Sequence, residues 1–142
     1  MQIIPQDIRL DAITTDPVTW PVFISAQIQV EVFRLDKIHP LISGNKWFKL
    51  QFYLQQAMEH QKSLLTFGGA WSNHIIATAA ACRLYGIPCT GLIRGEEPAF
   101  PSLVLTTAKE LGMKLFFLSR SDYAGGRIPP ALHPPDQLII PP

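Results

Sequence analysis

Between Gln29 and Leu118 the chain alternates short apolar runs with longer runs whose apolar residues recur every three or four positions, and this rhythm restricts the fold more than any other feature. The strand-like runs are Gln29 to Leu35, Ser63 to Phe67, Cys89 to Ile93 and Lys114 to Leu118. The helical runs are Lys46 to His60, Asn73 to Tyr85 and Ser102 to Leu111. Such alternation marks successive β-α-β units and predicts an α/β fold in three layers, a mostly parallel sheet with helices on both faces. In the first helical run Trp47, Leu50, Leu54, Ala57 and Met58 share one face. Gly86 and Gly112 follow the last periodic residues of the second and third helices, where a left-handed cap favours glycine. The second helix is apolar nearly all round and is expected to be buried. Leu64 to Phe67 and Leu115 to Leu118 are continuously apolar, as strands covered on both faces should be.

From Ser119 onward the pattern fails. Six of the 13 prolines fall between Pro129 and Pro142, and Ala124-Gly125-Gly126 interrupts any periodicity, so residues 119–136 read as irregular and without a helix. Leu138 to Ile140 could add a last strand.

With 142 residues, 47% of them hydrophobic and 16% charged, the chain has a globular composition and enough length to bury a core. Its net charge of +1 provides no broad field for nucleic acid or an anionic membrane. The longest nearly apolar stretch, Ile75 to Cys82, falls far short of the roughly 20 residues that span a bilayer. Residues 1–20 lack a basic start followed by an apolar block, and a cytoplasmic protein is expected. Cys82 and Cys89 fit neither a disulfide framework nor a metal knuckle and read as two buried small side chains, with no metal site expected.

Two segments could carry chemistry. In Ser43-Gly44-Asn45-Lys46-Trp47-Phe48-Lys49-Leu50 a polar turn leads into a helix, with Lys46 in its first turn and Lys49 three residues on. The positive helix end and the second ammonium both disfavour protonated Lys46, which makes it a plausible amine nucleophile toward a carbonyl. The plain alternative is a solvated lysine after an N-cap asparagine. In Phe67-Gly68-Gly69-Ala70-Trp71-Ser72-Asn73-His74 a glycine turn follows a buried strand and opens the second helix. Its N–H groups and the helix start favour an anion, although Ser72 and Asn73 could simply cap the helix. A serine-hydrolase reading of Ser72, on a strand-turn-helix, is weak, because the G-x-S-x-G elbow is missing and His74 is not placed for a triad. Both segments lie near the carboxyl ends of strands, where α/β sheets gather ligands. A reactive lysine, a carboxylate-binding turn and a nearby hydroxyl suit imine chemistry on an amino acid, with pyridoxal phosphate as electron sink.

At these motifs the sequence resembles the pyridoxal-phosphate enzymes of the tryptophan synthase β-subunit-like fold, and among them 1-aminocyclopropane-1-carboxylate deaminase and D-cysteine desulfhydrase. The likeness runs from about Val30 to Tyr123 through Arg34-Leu35-Asp36, Gly44-Asn45-Lys46 with Lys49-Leu50, and Gly68-Gly69 with Ser72-Asn73-His74. The resemblance implies that Lys46 carries the internal Schiff base and Asn73 bonds the cofactor's ring hydroxyl. It further implies that Ser72 meets the substrate carboxylate or moves a proton, with Gly69, Trp71, Asn73 and His74 completing the substrate site. Two positions depart from the family: Phe48 stands where many members carry a basic residue, and Trp71 where the deaminases have glutamine. Family members are also substantially longer. The expectation is therefore an N-terminal portion of a deaminase or lyase that converts a small amino acid to a 2-oxo acid and ammonia. Residues 1–61 would belong to the large cofactor domain and 62–142 to a small α/β domain, the fold being incomplete. This truncated chain alone is expected to be inactive, and the full-length form a homo-oligomer. The competing expectation is a non-catalytic α/β module that binds a small anion or a partner.

Overall fold

The computed structural model describes residues 5–132 and 137–141. Its centre is a four-stranded parallel sheet of β3 (Ser63–Gly69), β4 (Cys89–Arg94), β5 (Lys114–Leu118) and β6 (Gln137–Ile140), in the order β5-β4-β3-β6. The register pairs Leu64 with Cys89, Gly69 with Arg94, Thr90 with Lys114 and Thr66 with Ile140. Helices α3 (Asn73–Tyr85) and α4 (Leu103–Glu110) connect β3 to β4 and β4 to β5, and they pack on each other with α2 (Lys46–Glu59) on the far side of α3. A right-handed crossover requires helices that advance the sheet in one direction to share one face, and requires the return from β5 to β6 to use the other. The return does so: α5 (Arg120–Ala124) packs on β4 and β5, and Tyr123, Ile128 and Leu132 cover Leu65, Phe67, Leu92 and Leu118. Three layers result.

The larger core lies between the sheet and α2, α3 and α4. Trp47, Leu50, Leu54 and Ala57 face it from α2, as predicted from spacing, but Met58, expected on the same face, is 38% exposed. Ile75, Ala77, Ala79, Ala80, Ala81 and Cys82 make α3 buried almost all round. Small residues on α3 bring its backbone close to the sheet. Gly86 caps α3 in the left-handed conformation at φ 65°, and Gly112 follows α4 at φ 96°. Cys82 and Cys89 are buried free thiols. A hydrogen bond with the Cys89 side chain, followed by burial, pushes the Cys82 thiol pKa up, so Cys82 stays an inert part of the core.

Four sequence expectations need correction. The run from Gln29 to Leu35 gives only β2 (Glu31–Phe33), which pairs antiparallel with β1 (Thr15–Pro17) in a separate two-stranded sheet flanking α1 (Pro21–Ser25). All three residues of β2 are exposed, so its apolar side chains do not enter the sheet core. Strand β5 is not covered on both faces. It forms the sheet edge, its exposure alternates, and Phe116 remains 40% exposed. The stretch after Ser119 does contain a helix: Ser119 Oγ accepts from the Asp122 backbone N–H at 3.1 Å and donates to the Asp122 carboxylate at 2.7 Å, and this cap starts α5. Residues 133–136 of the predicted irregular stretch lie outside the described residues. Finally, Gly68 and Gly69 are not the turn but the last two residues of β3. The turn is Ala70-Trp71, closed by the Ser72 N–H donating to the Gly69 carbonyl at 3.0 Å.

Candidate active site

Because α2 leads directly into the start of β3, its own N-terminus lies at the opposite, carboxyl edge of the sheet, where α3 also begins. A cavity of about 440 Å³ opens there. Asn45, Lys46 and Lys49 line it from the start of α2, Phe67, Gly68 and Gly69 from the end of β3, and Ser72 and His74 from the start of α3. Arg94 at the end of β4 and Tyr123 of α5 complete its wall. Of the residues singled out in the sequence, Lys46, Gly69, Ser72 and His74 therefore meet at one cavity. Asn73 and Trp71 are not among the lining residues; Asn73 is exposed, and Trp71 is 78% exposed on the turn.

The local chain holds each group in place. Asn45 occupies the N-cap of α2 without making a cap hydrogen bond, and its Oδ1 instead accepts from Lys46 Nζ at 2.8 Å. Lys49 Nζ donates to the Pro141 carbonyl at 3.2 Å, which ties α2 to the end of β6. Ser72 is the N-cap of α3, but its side chain makes no cap hydrogen bond, so capping does not occupy the hydroxyl. From behind the turn, Ser102 donates its hydroxyl to the Ala70 carbonyl and accepts from the Leu105 N–H at 3.2 Å, locking the turn to the start of α4. Tyr123 stands edge-on to Phe67, with ring centroids 5.9 Å apart at 79°, and burial raises its pKa.

The two glycines do different work. A Cβ on Gly68 would sit 2.4 Å from Ile75 Cγ1 and 3.0 Å from Ser72 Oγ, so the missing side chain allows α3 to start close against β3. A Cβ on Gly69 would meet nothing within 4 Å, and what its absence leaves is cavity space.

The site is electropositive. Lys46, Lys49 and Arg94 line it together, with no Asp or Glu among the described lining residues. His74 does not add to the charge: burial first, then the charges of Lys49 and Lys46, lower its pKa from 6.5 to about 4. The neutral ring shares a 2.8 Å hydrogen bond from Nε2 to Thr66 Oγ1, and that hydroxyl donates to the Ile140 carbonyl at 3.4 Å. An acid-free pocket with an amine, a guanidinium and an unengaged hydroxyl is suited to an anion that also carries a carbonyl. Arg94 and Tyr123 were not found by sequence reasoning. Nothing in the sequence near them marks a site, and only the strand register and the return of α5 bring them to it.

No family model matches the chain. Among curated proteins it is 37% identical over 95 residues to a protein of Oryza sativa subsp. japonica provisionally named D-cysteine desulfhydrase 2, mitochondrial; the match covers 66% of this chain and 23% of that protein. It is 34% identical over 84 residues to a protein of Pyrococcus abyssi provisionally named 1-aminocyclopropane-1-carboxylate deaminase, covering 57% of this chain and 26% of that one. The chain thus spans about a quarter of the length of these relatives. A solved structure described as an ACC deaminase homologue superposes with a TM-score of 0.69 at 20% identity, over 92% of this chain and 42% of that one, which shows the shared fold. Together the sequence likeness and the shared tryptophan synthase β-subunit-like fold support the 1-aminocyclopropane-1-carboxylate deaminase and D-cysteine desulfhydrase family for this chain, at partial coverage of a member.

Proposed function

We propose that the chain is the N-terminal portion of a pyridoxal-phosphate-dependent deaminase or lyase, acting on a small amino acid of the 1-aminocyclopropane-1-carboxylate or D-cysteine type to give a 2-oxo acid and ammonia. The family is pyridoxal-phosphate-dependent, and the observation that carries the reading is the convergence of Lys46 with Gly69 and Ser72 on one acid-free cavity. The residues present fit part of the cofactor: Lys46 offers an amine for its aldehyde beside open space at Gly69, and Lys49 one turn along α2 tunes that amine, while the resemblance assigns the phosphate to a glycine-rich loop in the part of the family that this chain does not span. When bound, that group supplies the electron sink that no side chain offers.

In this reading Lys46 holds the cofactor through its Nζ, with Asn45 orienting the amine; the ring-hydroxyl contact that the resemblance implies for Asn73 requires its exposed side chain to turn toward a cavity it does not line. Ser72 Oγ contacts the substrate carboxylate or takes part in proton transfer at the α-carbon, and Gly69 with the backbone around Trp71 helps form the carboxylate cradle. His74, neutral and bonded to Thr66, acts by hydrogen bonding. Residues 1–61 would be part of the large cofactor domain and residues 62–142 the small domain. The full-length protein would be a cytoplasmic homo-oligomer, and this chain alone would be inactive. Among the described residues no helix is long and apolar enough to cross a membrane.

The test is borohydride reduction after incubation with pyridoxal phosphate, followed by peptide mapping. The phosphopyridoxyl label is expected on Lys46. Label on Lys49 with Lys46 unmodified would overturn the assignment, and a chain that never takes label would favour the non-catalytic, anion-binding module.

A further inference from the structure

We propose that Arg94 is a specificity-determining residue of this site, a guanidinium clamp for the carboxylate of the ligand that sits over Gly69. The inference deepens the reading above and rests on it for the statement that this carboxylate belongs to an amino-acid substrate.

Arg94 ends β4 directly beside Gly69, its partner in the parallel register. Paired residues of neighbouring strands project to the same face of a sheet, so the Arg94 side chain and the missing Gly69 Cβ share a face. That face is the one covered by α5, since Phe67 and Leu92, two residues before each along their strands, pack there with Tyr123. The position beside Arg94 is thus both empty and inside the cavity wall. Among the described residues three arginines have carboxylate partners: Arg9 bonds Asp11 at 3.5 Å, Arg34 bonds Asp16 and Asp36, each at 2.7 Å, and Arg127 bonds Asp122 at 3.2 Å. Arg94 makes no ion pair with a described residue, although Glu96 and Glu97 follow it closely in the chain, and Glu97 pairs instead with Lys109 at 3.3 Å.

The charges also divide by position. Lys46 and Lys49 enter from α2, on the side of the larger core, and each already has a neutral partner, Asn45 Oδ1 and the Pro141 carbonyl. Arg94 enters from the α5 side and has neither. A planar fork of N–H donors matches a carboxylate in a two-point contact that a lysine ammonium cannot reproduce. With Ser72 and the first amides of α3 across the gap, a carboxylate over Gly69 would be held from both sides.

The test uses the 142-residue chain and propionate as the probe, titrated at low ionic strength with the Gly69 and Ser72 amide resonances as readout. Parent, Arg94→Gln and Arg94→Lys chains are compared after their melting temperatures are shown to agree. Arg94→Gln should weaken propionate about tenfold, as loss of a charge-assisted contact does, and Arg94→Lys should recover only part of it. Propionate that leaves both amides unmoved in the parent, or an equal Kd in Arg94→Gln, overturns the assignment. A parallel titration with inorganic phosphate distinguishes the anion: a loss in Arg94→Gln confined to phosphate would assign Arg94 to a phosphate and overturn the carboxylate clamp. An Arg94-dependent propionate site in a chain whose Lys46 takes no phosphopyridoxyl label would instead remove the cofactor reading and leave the carboxylate site standing.

Discussion

Gly68 and Gly69 are neighbours with opposite sensitivities. Gly68→Ala drives a Cβ to 2.4 Å from Ile75 Cγ1, and Ile75 is fully buried, so either β3 or α3 must shift. Overpacking of this kind costs about 1–3 kcal/mol, which urea denaturation would read as a lowered midpoint. Gly69→Ala meets open space and should change stability by less than about 0.5 kcal/mol, while the bulkier Gly69→Leu should reduce Lys46 labelling several-fold with the midpoint retained. Equal losses of stability at the two positions would contradict this division. His74 supplies a pH signature. Unfolded, it takes up a proton near pH 6.5; folded, it does so only near about 4, because burial and the charges of Lys49 and Lys46 oppose the imidazolium. The unfolded chain therefore binds the extra proton between those values, and the stability held above pH 6.5 is lost as the pH falls toward 4. His74→Gln should flatten that part of the urea-midpoint profile relative to the parent; parallel profiles would show that His74 titrates alike in both states. At this scale the sequence was half legible. Lys46 and Ser72 announce themselves through turns next to helix starts, whereas Arg94 is one more charged residue at a strand end until the register sets it beside Gly69.

Element by element, legibility followed burial. The boundaries of α3 and β5 match the expected runs, and α2 and β4 differ by a single residue, because periodicity and glycine caps act within a few residues of chain. What could not be read locally was the company each element keeps. Phe116 and Phe117 give β5 the composition of a central strand, yet it lies at an edge, and β2 has apolar residues but no sheet core to receive them. Helix α5 escaped notice because five residues give no period, although Ser119 followed by Asp122 is a cap signal in plain sight. Strand β6 shows how strongly pairing decides. Ile140 is fully buried beside Thr66, whereas Ile139 is 44% exposed. Ile140→Ala should accordingly cost about 2–5 kcal/mol and Ile139→Ala less than about 1 kcal/mol, measured by the same urea midpoints. Because the Ile140 carbonyl and the Pro141 carbonyl receive Thr66 and Lys49, loss of β6 docking would also disturb the cavity from below. Comparable small costs for both substitutions would mean that β6 is not held against β3.

Across the whole molecule, cohesion is uneven, and the unevenness follows the chain. Residues 46–118 form interleaved helices and strands around the larger core, and Ile38 and Ile42 are fully buried in it, so the segment that delivers Lys46 is anchored at both ends. Farther upstream the situation changes. No residue of β1, α1 or β2 is buried, and β1 and β2 pack on each other rather than on the sheet. Their attachment is polar and partly exposed: Arg34 bridges Asp16 and Asp36, Lys37 donates to Thr14 at 2.7 Å, and the Arg34 N–H donates to the Thr14 carbonyl at 2.8 Å. Ion pairs at such exposure contribute about 1 kcal/mol or less each and weaken in salt. The same stretch carries Trp20, Ile24, Ile28 and Phe33, all more than half exposed, so it gains little from burying apolar area. Local opening free energy tracks buried contact, and the unit from Thr15 to Phe33 should therefore open well below the global unfolding transition. Hydrogen exchange read by mass spectrometry on peptides is the measurement. Peptides from Thr15 to Phe33 are expected to exchange orders of magnitude faster than those from β3 and β4, and the gap should widen at high salt as the Arg34 and Lys37 bridges are screened. Uniform protection from Thr15 to Ile93 would instead require a single cooperative unit, with the small antiparallel sheet bound to the parallel one by contacts stronger than ion pairs.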